Sequence, residues 1–139
     1  MVYRKDWSQP QPGGQGFMRT AKCFGRKVNL QAADLGAGGV VGMFKVPPFF
    51  LVLGAYGIVP KLDNGTVALL FTLGDPGNSA RYLTGNNVGQ AGGTITTIAA
   101  AGFAFPTYLE TEIQFTVTTP ANLAAPGVFE YYLWGTIFA

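Results

Sequence analysis

The sequence predicts an all-β fold, a single antiparallel β-sandwich or jelly roll of about seven to eight strands with an extended N-terminal arm. Three observations support this: short apolar runs bounded by Gly, Pro and Asn, one run in which apolar and polar residues alternate, and no long amphipathic helical pattern. A length of 139 residues fits a single domain. We therefore predict an arm over residues 1–20 and one domain over residues 21–139.

The arm prediction rests on residues 8–16, SQPQPGGQG, which lack apolar periodicity and contain residues that resist both helix and sheet. Charge is unevenly placed, because residues 1–27 carry a net charge of +5 and residues 28–139 a net charge of −3, within the +2 of the whole chain. We expect the basic arm, with its aromatic side chains, to contact protein. The candidate arm contacts are Arg4, Lys5, Trp7, Phe17 and Arg19.

The first strands of the domain are predicted from short apolar or β-branched runs. Residues 40–46 and 50–58 form two such runs, and residues 94–98 form a third. Within the second run, Gly54 and Gly57 indicate a bulge or the close approach of another backbone.

Turn-forming residues between the runs predict two local structures. Asn64-Gly65 favours a tight hairpin, since both of its turn positions need a positive φ. Its paired strands are predicted over residues 58–62 and 66–73. The turn that follows predicts one helical turn over residues 79–83, capped by Asn78.

Two strands are predicted near the C-terminal end. Residues 107–118 alternate with a period of two, which is typical of a strand with one wet face. The face predicted to be apolar carries Leu109, Thr111, Ile113, Phe115 and Val117. Residues 128–138 are apolar on both faces, which predicts a central strand covered on both sides, either by a second layer or by an oligomer interface. Tyr132 and Trp134 of this strand are the candidate interface residues.

The residues that usually carry catalysis are scarce. The absence of histidine excludes Ser-His-Asp and Cys-His arrangements and His-ligated metal sites, and the lone Cys23 cannot form an intrachain disulfide. Glu110 and Glu112 have a glycosidase-like spacing, but we interpret them as a solvated edge or a contact for the basic arm. Asp63 and Asp75 are interpreted as turn residues and not as calcium ligands. We predict no catalytic, metal or cofactor-binding residues, no cofactor and no enzymatic activity.

The composition indicates a protein partner. Only 12% of the residues are charged, against roughly 25% in an average soluble protein, so we expect other protein to cover part of the surface. The uncharged runs are interrupted by Pro and Gly, and they predict no membrane helix. Six basic residues spread over the first 27 do not form a dense patch, so we do not expect direct nucleic-acid binding. Because no catalytic residues are predicted, we expect no small-molecule substrate either.

The chain resembles a family of virus proteins over about residues 40–139. The likeness lies in residues 71–84 (FTLGDPGNSARYLT), residues 88–93 (VGQAGG), an alternating strand, and the aromatic residues 128–134 (VFEYYLW). These segments resemble small β-rich virion proteins of tailed bacteriophages, and among them the jelly-roll cement (decoration) proteins of short-tailed phage capsids.

The resemblance implies a structural virion protein, made in the bacterial host cytoplasm and located on the capsid surface. It implies a homodimer or homotrimer that binds the outside of the assembled capsid and clamps neighbouring subunits of the major capsid protein against the pressure of packaged DNA.

The alternative is a receptor- or glycan-binding β-sandwich module of a phage head fibre or tail. Loops over residues 74–93 and 119–127 would then carry the site. Displayed aromatic side chains would bind the carbohydrate, and the candidates are Tyr56, Tyr82, Tyr108 and Trp134.

Overall fold

The computed structural model describes residues 21–66 and 68–138. Within these ranges the chain forms nine β-strands and two short 3₁₀ helices. The strands are β1 (Ala21–Leu30), β2 (Val40–Val46), β3 (Phe50–Val59), β4 (Leu70–Asp75), β5 (Asn78–Asn86), β6 (Gly93–Ile95), β7 (Phe105–Thr107), β8 (Thr111–Thr119) and β9 (Gly127–Ile137). The 3₁₀ helices are Ala32–Leu35 and Val88–Gln90. Neither helix in this part of the chain is long and apolar enough to cross a membrane.

The strands form two antiparallel sheets in jelly-roll order. In the first sheet the order is β1-β9-β3-β6, with β7 also paired to β3, and in the second sheet it is β2-β8-β4-β5. Successive strand pairs alternate between the two sheets. The pair β1/β9 lies in the first sheet and β2/β8 in the second, then β3 with β6 and β7 in the first and β4/β5 in the second. This is the path of one long hairpin rolled across two sheets, so the predicted all-β sandwich or jelly roll is confirmed.

The inner faces of the two sheets meet in an aromatic core. Phe71 and Phe115 of the second sheet stack with ring centroids 4.8 Å apart. Phe129 of the first sheet approaches these two rings at 5.9 and 5.5 Å. All three side chains are fully buried. Because such ring pairs add about 0.5 to 1.5 kcal/mol beyond burial, these contacts help to hold the two sheets together.

The strands predicted over residues 40–46 and 50–58 are confirmed as β2 and β3. The register of β3 against β9 shifts between Val52 and Gly54, so a bulge lies at one of the two glycines that the sequence singled out. The strand predicted over residues 94–98 is shorter and forms β6.

The alternating strand is confirmed as β8, but it begins at Thr111 and not at residue 107. Residues 105–107 pair with β3 in the first sheet, whereas Thr111 pairs with Val46 in the second. The chain therefore crosses between the sheets over residues 108–110. Leu109, predicted on the apolar face, is 77% exposed as a result.

The predicted hairpin about Asn64-Gly65 is wrong, because the flanking strands β3 and β4 lie in different sheets. The loop is held instead by the buried Asp63 carboxylate, which accepts hydrogen bonds from the backbone N–H groups of Gly65 (2.8 Å), Leu123 (3.0 Å) and Asn122 (3.1 Å). These bonds, led by that from Leu123, lower the pKa of Asp63. The carboxylate thereby ties the β3–β4 loop to the β8–β9 connection.

The predicted helical turn over residues 79–83 is also wrong, because this segment lies within β5 and pairs with β4. The Asp75 carboxylate accepts hydrogen bonds from the backbone N–H groups of Gly77 and Asn78, both at 2.9 Å. Its other oxygen pairs with Arg81 Nε at 2.6 Å. Asp75 therefore closes the β4–β5 turn and directs the following residues into a strand.

Candidate protein interface

The outward side of β9 and β3 forms a largely apolar surface. β9 lies between β1 and β3, as predicted for a central strand. Its inward residues Phe129, Tyr131 and Leu133 are buried, whereas the outward Trp134 is 49% exposed. Within the described residues, the predicted cover on both sides of β9 is therefore found on the inner side only. We call the outward set the aromatic face, and it comprises Tyr56, Ile58, Val128, Tyr132 and Trp134.

Glycines on the neighbouring strands position the two large rings of β9. Trp134 lies opposite Gly54, and a Cβ added to Gly54 would lie 2.2 Å from Cε2 and Cζ2 of the Trp134 ring. Tyr132 lies opposite Gly25, where an added Cβ would lie 2.1 Å from Cδ1 of the Tyr132 ring. Each ring therefore rests on a neighbouring strand where that strand has no side chain. Such supported rings lose little conformational freedom when a partner covers them.

A charged group borders the aromatic face. The Tyr132 hydroxyl donates a hydrogen bond to Glu130 Oε1 at 3.0 Å, and Lys27 Nζ lies 3.9 Å from the same oxygen. The hydrogen bond to Glu130, with the smaller effects of burial and of the negative charge, raises the pKa of Tyr132. Tyr132 therefore stays neutral at physiological pH, and the rim next to it combines an ion pair with an apolar ring.

A second exposed cluster lies at the end of the first sheet. Phe49 follows β2, Tyr108 follows β7 and Phe138 follows β9. Their ring centroids are 6.5 Å apart for Phe49 and Tyr108, 5.7 Å for Phe49 and Phe138, and 6.0 Å for Tyr108 and Phe138, all edge to face. We call these three residues the aromatic triad.

The predicted interface residues fall into two groups. Tyr132 and Trp134 lie side by side on the aromatic face. The predicted arm contacts Arg4, Lys5, Trp7, Phe17 and Arg19 lie outside the described residues. The sequence did not indicate Ile58, Phe49 or Phe138 as surface contacts. Gly54, which lies opposite Trp134, was a sequence signal that a ring packs on β3.

The carboxylates considered for chemistry are each engaged by a different partner, although Asp75, Glu110 and Glu112 line one open groove together with Arg81. Glu110 precedes β8 and pairs with Lys45 at 3.4 Å, so it does not share a strand with Glu112. Asp63 and Asp75 are each engaged by backbone N–H groups of their own turns. Among the described residues, no group of three His, Cys, Asp or Glu side chains could hold a metal ion.

One residue of the carbohydrate alternative is removed by the fold. Tyr82 is fully buried, so it cannot be displayed to a glycan. Tyr56, Tyr108 and Trp134 are exposed, but Tyr108 belongs to the aromatic triad and the other two to the aromatic face. The expected group of four aromatic side chains is therefore not assembled on one surface.

Comparison with known proteins gives no relative by sequence, since no family model and no curated protein matches the chain. Solved structures do share its fold. Both examples come from phage capsids. A chain in the capsid of Ralstonia phage GP4 matches with a TM-score of 0.75 and 17% identity, over 86% of this chain and 85% of that chain. A chain in the capsid asymmetric unit of cyanophage Pam1 matches with a TM-score of 0.75 and 18% identity, over 99% of this chain and 100% of that chain.

The TM-scores of 0.75 establish a common fold, and at identities of 17 and 18% the likeness shows the fold alone. The near-complete coverage of both chains in the Pam1 comparison indicates that the whole architecture is shared, and not a fragment of it. The jelly-roll fold that the sequence resemblance implied is therefore found in the structure, and chains of two phage capsid structures share it.

Proposed function

We propose that this protein is a structural virion protein that binds the outer surface of a phage capsid and cements neighbouring subunits of the major capsid protein. The proposal is supported by two features found together in one molecule. The fold is shared with chains of two phage capsid structures, and one sheet carries an exposed aromatic face. In this proposal the protein acts as a homodimer or homotrimer, and it performs no catalysis.

The aromatic face has the chemistry of an interface centre. Large aromatic side chains have about 150 to 250 Å² of surface each, and a stable interface covers about 800 Å² on each partner. Tyr56 is 43% exposed and Trp134 49%, so each can add roughly 100 Å² to an interface. With Tyr132 and the two aliphatic residues beside them, they can supply the centre of such an interface. The Lys27–Glu130 pair at its edge fits the polar rim that surrounds such centres.

The N-terminal segment supplies a second point of attachment in this proposal. Arg4, Lys5 and Trp7 reach a neighbouring capsid subunit while the aromatic face holds another. Two linked contacts raise the effective concentration of each, so that modest individual affinities give slow release. A net charge of +5 in residues 1–27 and −3 in the remainder would orient each copy on the shell.

The test is co-sedimentation of the purified protein with empty, expanded phage capsids that lack it. We expect binding at a fixed ratio to the major capsid protein. Trp134→Ala and Tyr56→Ala should each weaken binding by about 30-fold, as for an interface hot spot worth about 2 kcal/mol. Phe103→Ala is the matched control, because this exposed aromatic residue lies in the β6–β7 connection, outside both the aromatic face and the triad.

Two outcomes contradict the proposal. The first is no co-sedimentation at any protein concentration that keeps the chain soluble. The second is binding that all three variants weaken equally. Analytical ultracentrifugation of the free protein tests the oligomer, and a monomer at every concentration would remove that part of the proposal.

A further inference from the structure

β1 presents a long and regular strand edge. It ends the strand order of the first sheet, so β9 lies on one side of it and no described strand pairs with its other side. All ten of its residues pair with β9 without a register shift, and seven of the ten are exposed. Because alternate residues of an edge strand direct their N–H and C=O groups away from the sheet, about half of these residues offer backbone groups to an incoming strand.

The other sheet edges among the described residues are short or irregular. The opposite edge of the first sheet is formed by β6 and β7, which contain three residues each. In the second sheet the register of β2 shifts between Gly42 and Phe44, and the pairing of β5 with β4 shifts at two points. Short strands and bulges are common means by which proteins prevent pairing at a sheet edge. Within the described part of the chain, β1 is therefore the edge best suited to strand addition.

The charged residues of β1 are all basic. They are Lys22, Arg26 and Lys27, and all three are exposed. Lys27 lies 3.9 Å from Glu130, whereas Lys22 and Arg26 have no ion-pair partner among the described residues. Pairing with a second copy of β1 would bring the basic residues of both chains side by side, which is unfavourable. An acidic strand would instead meet complementary charge at this edge.

The two unpaired charges lie on the same side of β1. Phe24, midway between them, packs edge to face on the buried Phe50 with ring centroids 5.1 Å apart, so this is the inner side of the sheet. Lys22 and Arg26 are four residues apart and share this side, since every second residue of a strand does. Their Cα atoms are therefore about 13 Å apart. Carboxylates four positions apart on an adjacent strand would lie opposite them.

Arg26 also borders an open groove of about 280 Å³ between the edges of β1 and β2, and the other charged residues that line this groove are Lys45 and Glu112. Both are already engaged. Lys45 lies 3.4 Å from Glu110, and Glu112 accepts a hydrogen bond from Gln114 at 2.9 Å. Arg26 is therefore the charge in this groove that remains available to a partner.

We propose that β1 accepts an extended segment of a partner protein as an added strand, and that this segment carries carboxylates four positions apart opposite Lys22 and Arg26. Backbone hydrogen bonds supply the affinity, and the two ion pairs supply the preference for an acidic segment. This site is distinct from the aromatic face, and the inference does not rest on capsid binding.

Peptide binding to the full chain tests strand addition. The probe is a threonine-rich peptide as long as β1, with two glutamates four positions apart, and the control peptide carries lysines in their place. Binding is followed by the backbone amide signals of the isotope-labelled protein. We expect the glutamate peptide to shift the signals of β1 and the lysine peptide to leave them unchanged. No binding of the glutamate peptide up to about 1 mM, or equal binding of both peptides, overturns the proposal.

N-methylation of the peptide distinguishes strand addition from ionic attraction alone. Successive N–H groups of an extended peptide point to opposite edges, so methylation of alternate residues blocks one edge only. Two versions of the glutamate peptide are therefore made, each methylated on one of the two alternate sets. One version should lose binding and the other should retain it. Equal binding of the two versions overturns the proposal in favour of a contact between charges alone.

Substitutions in β1 test the two ion pairs. Lys22→Ala and Arg26→Ala should each weaken binding of the glutamate peptide by about 1.5- to 5-fold, as for an opposite-charge pair across two strands. Lys61→Ala is the matched control, because Lys61 is an exposed lysine outside β1. Equal effects of all three substitutions overturn the assignment of the carboxylates to Lys22 and Arg26. Ultracentrifugation of the free protein examines self-pairing, and a dimer that the glutamate peptide dissociates overturns the proposal in favour of a second copy of β1.

Discussion

Replacement of Gly54 by alanine should displace the Trp134 ring from the aromatic face without changing Trp134 itself. The new Cβ would lie 2.2 Å from two ring carbons, whereas carbon atoms in contact are about 3.5 to 4.0 Å apart. The ring must therefore lift by more than about 1 Å or rotate into solvent. Either movement removes the flat surface that we propose for partner binding.

The size of the effect follows from the burial of Trp134. A tryptophan side chain buries up to about 250 Å². Since Trp134 is 49% exposed, about 125 Å² of its surface depends on the contact with β3 and its neighbours. At about 25 cal/mol per Å², loss of this burial costs about 3 kcal/mol. Alanine offsets about 0.4 to 1 kcal/mol by restricting the unfolded chain, so we expect a net loss of about 2 kcal/mol.

Urea unfolding of four proteins measures this effect: the natural chain, Gly54→Ala, Trp134→Ala and the double variant. In the natural background Gly54→Ala should lower the free energy of unfolding by about 2 kcal/mol. In the Trp134→Ala background the same substitution should raise it by about 0.4 to 1 kcal/mol, because no ring remains to be displaced. Equal effects in the two backgrounds would refute the argument that the ring rests on Gly54.

Three further predictions concern the stability of the fold. Phe115→Ala should reduce the free energy of unfolding by about 3 to 5 kcal/mol, because it opens a cavity beside Phe71 and Phe129. A loss below about 1 kcal/mol in guanidinium unfolding would contradict the packing described above. Ala104→Gly should raise the thermal midpoint, because Ala104 has a φ of 57° that glycine adopts without strain; an unchanged or lower midpoint in calorimetry would contradict this. Asp63→Asn should lower the stability of the fold at neutral pH and make that stability less dependent on pH. The folded pKa of Asp63 lies below the unfolded value, so its carboxylate stabilises the fold fully above about pH 4 and loses this effect as the pH falls through the folded pKa. Unfolding midpoints of both proteins between pH 6 and pH 3 test the last prediction, and parallel curves would contradict it.

Local sequence patterns were sufficient where one strand carries its own signal. The alternation of apolar and polar residues within β8 predicted which of its side chains are buried, because successive residues of a strand point to opposite faces. The apolar character of both faces of β9 predicted a central strand for the same reason. Proline and glycine at the breaks between runs placed β2 and β3.

Pairing between distant strands decided the remaining structure. β1, which the sequence did not indicate, carries mostly exposed residues and is held by its register with β9. The Asn64-Gly65 pair does not form a hairpin, because the jelly-roll path sends β3 and β4 to different sheets. A local turn preference is a small energy, and it yields when pairing and burial elsewhere favour another path.

The sequence by itself determined that this protein is an all-β domain rich in apolar and aromatic residues and poor in catalytic side chains. Only the tertiary structure decided which of those residues meet. Tyr56 and Trp134 share a surface because the register of β3 against β9 sets them side by side, although 78 positions separate them in the chain. Phe49, Tyr108 and Phe138 meet because three separate strands end or turn at one end of a sheet. Side-chain periodicity is a property of each strand alone, whereas a binding surface depends on the hydrogen-bonded register between strands, which local patterns do not specify.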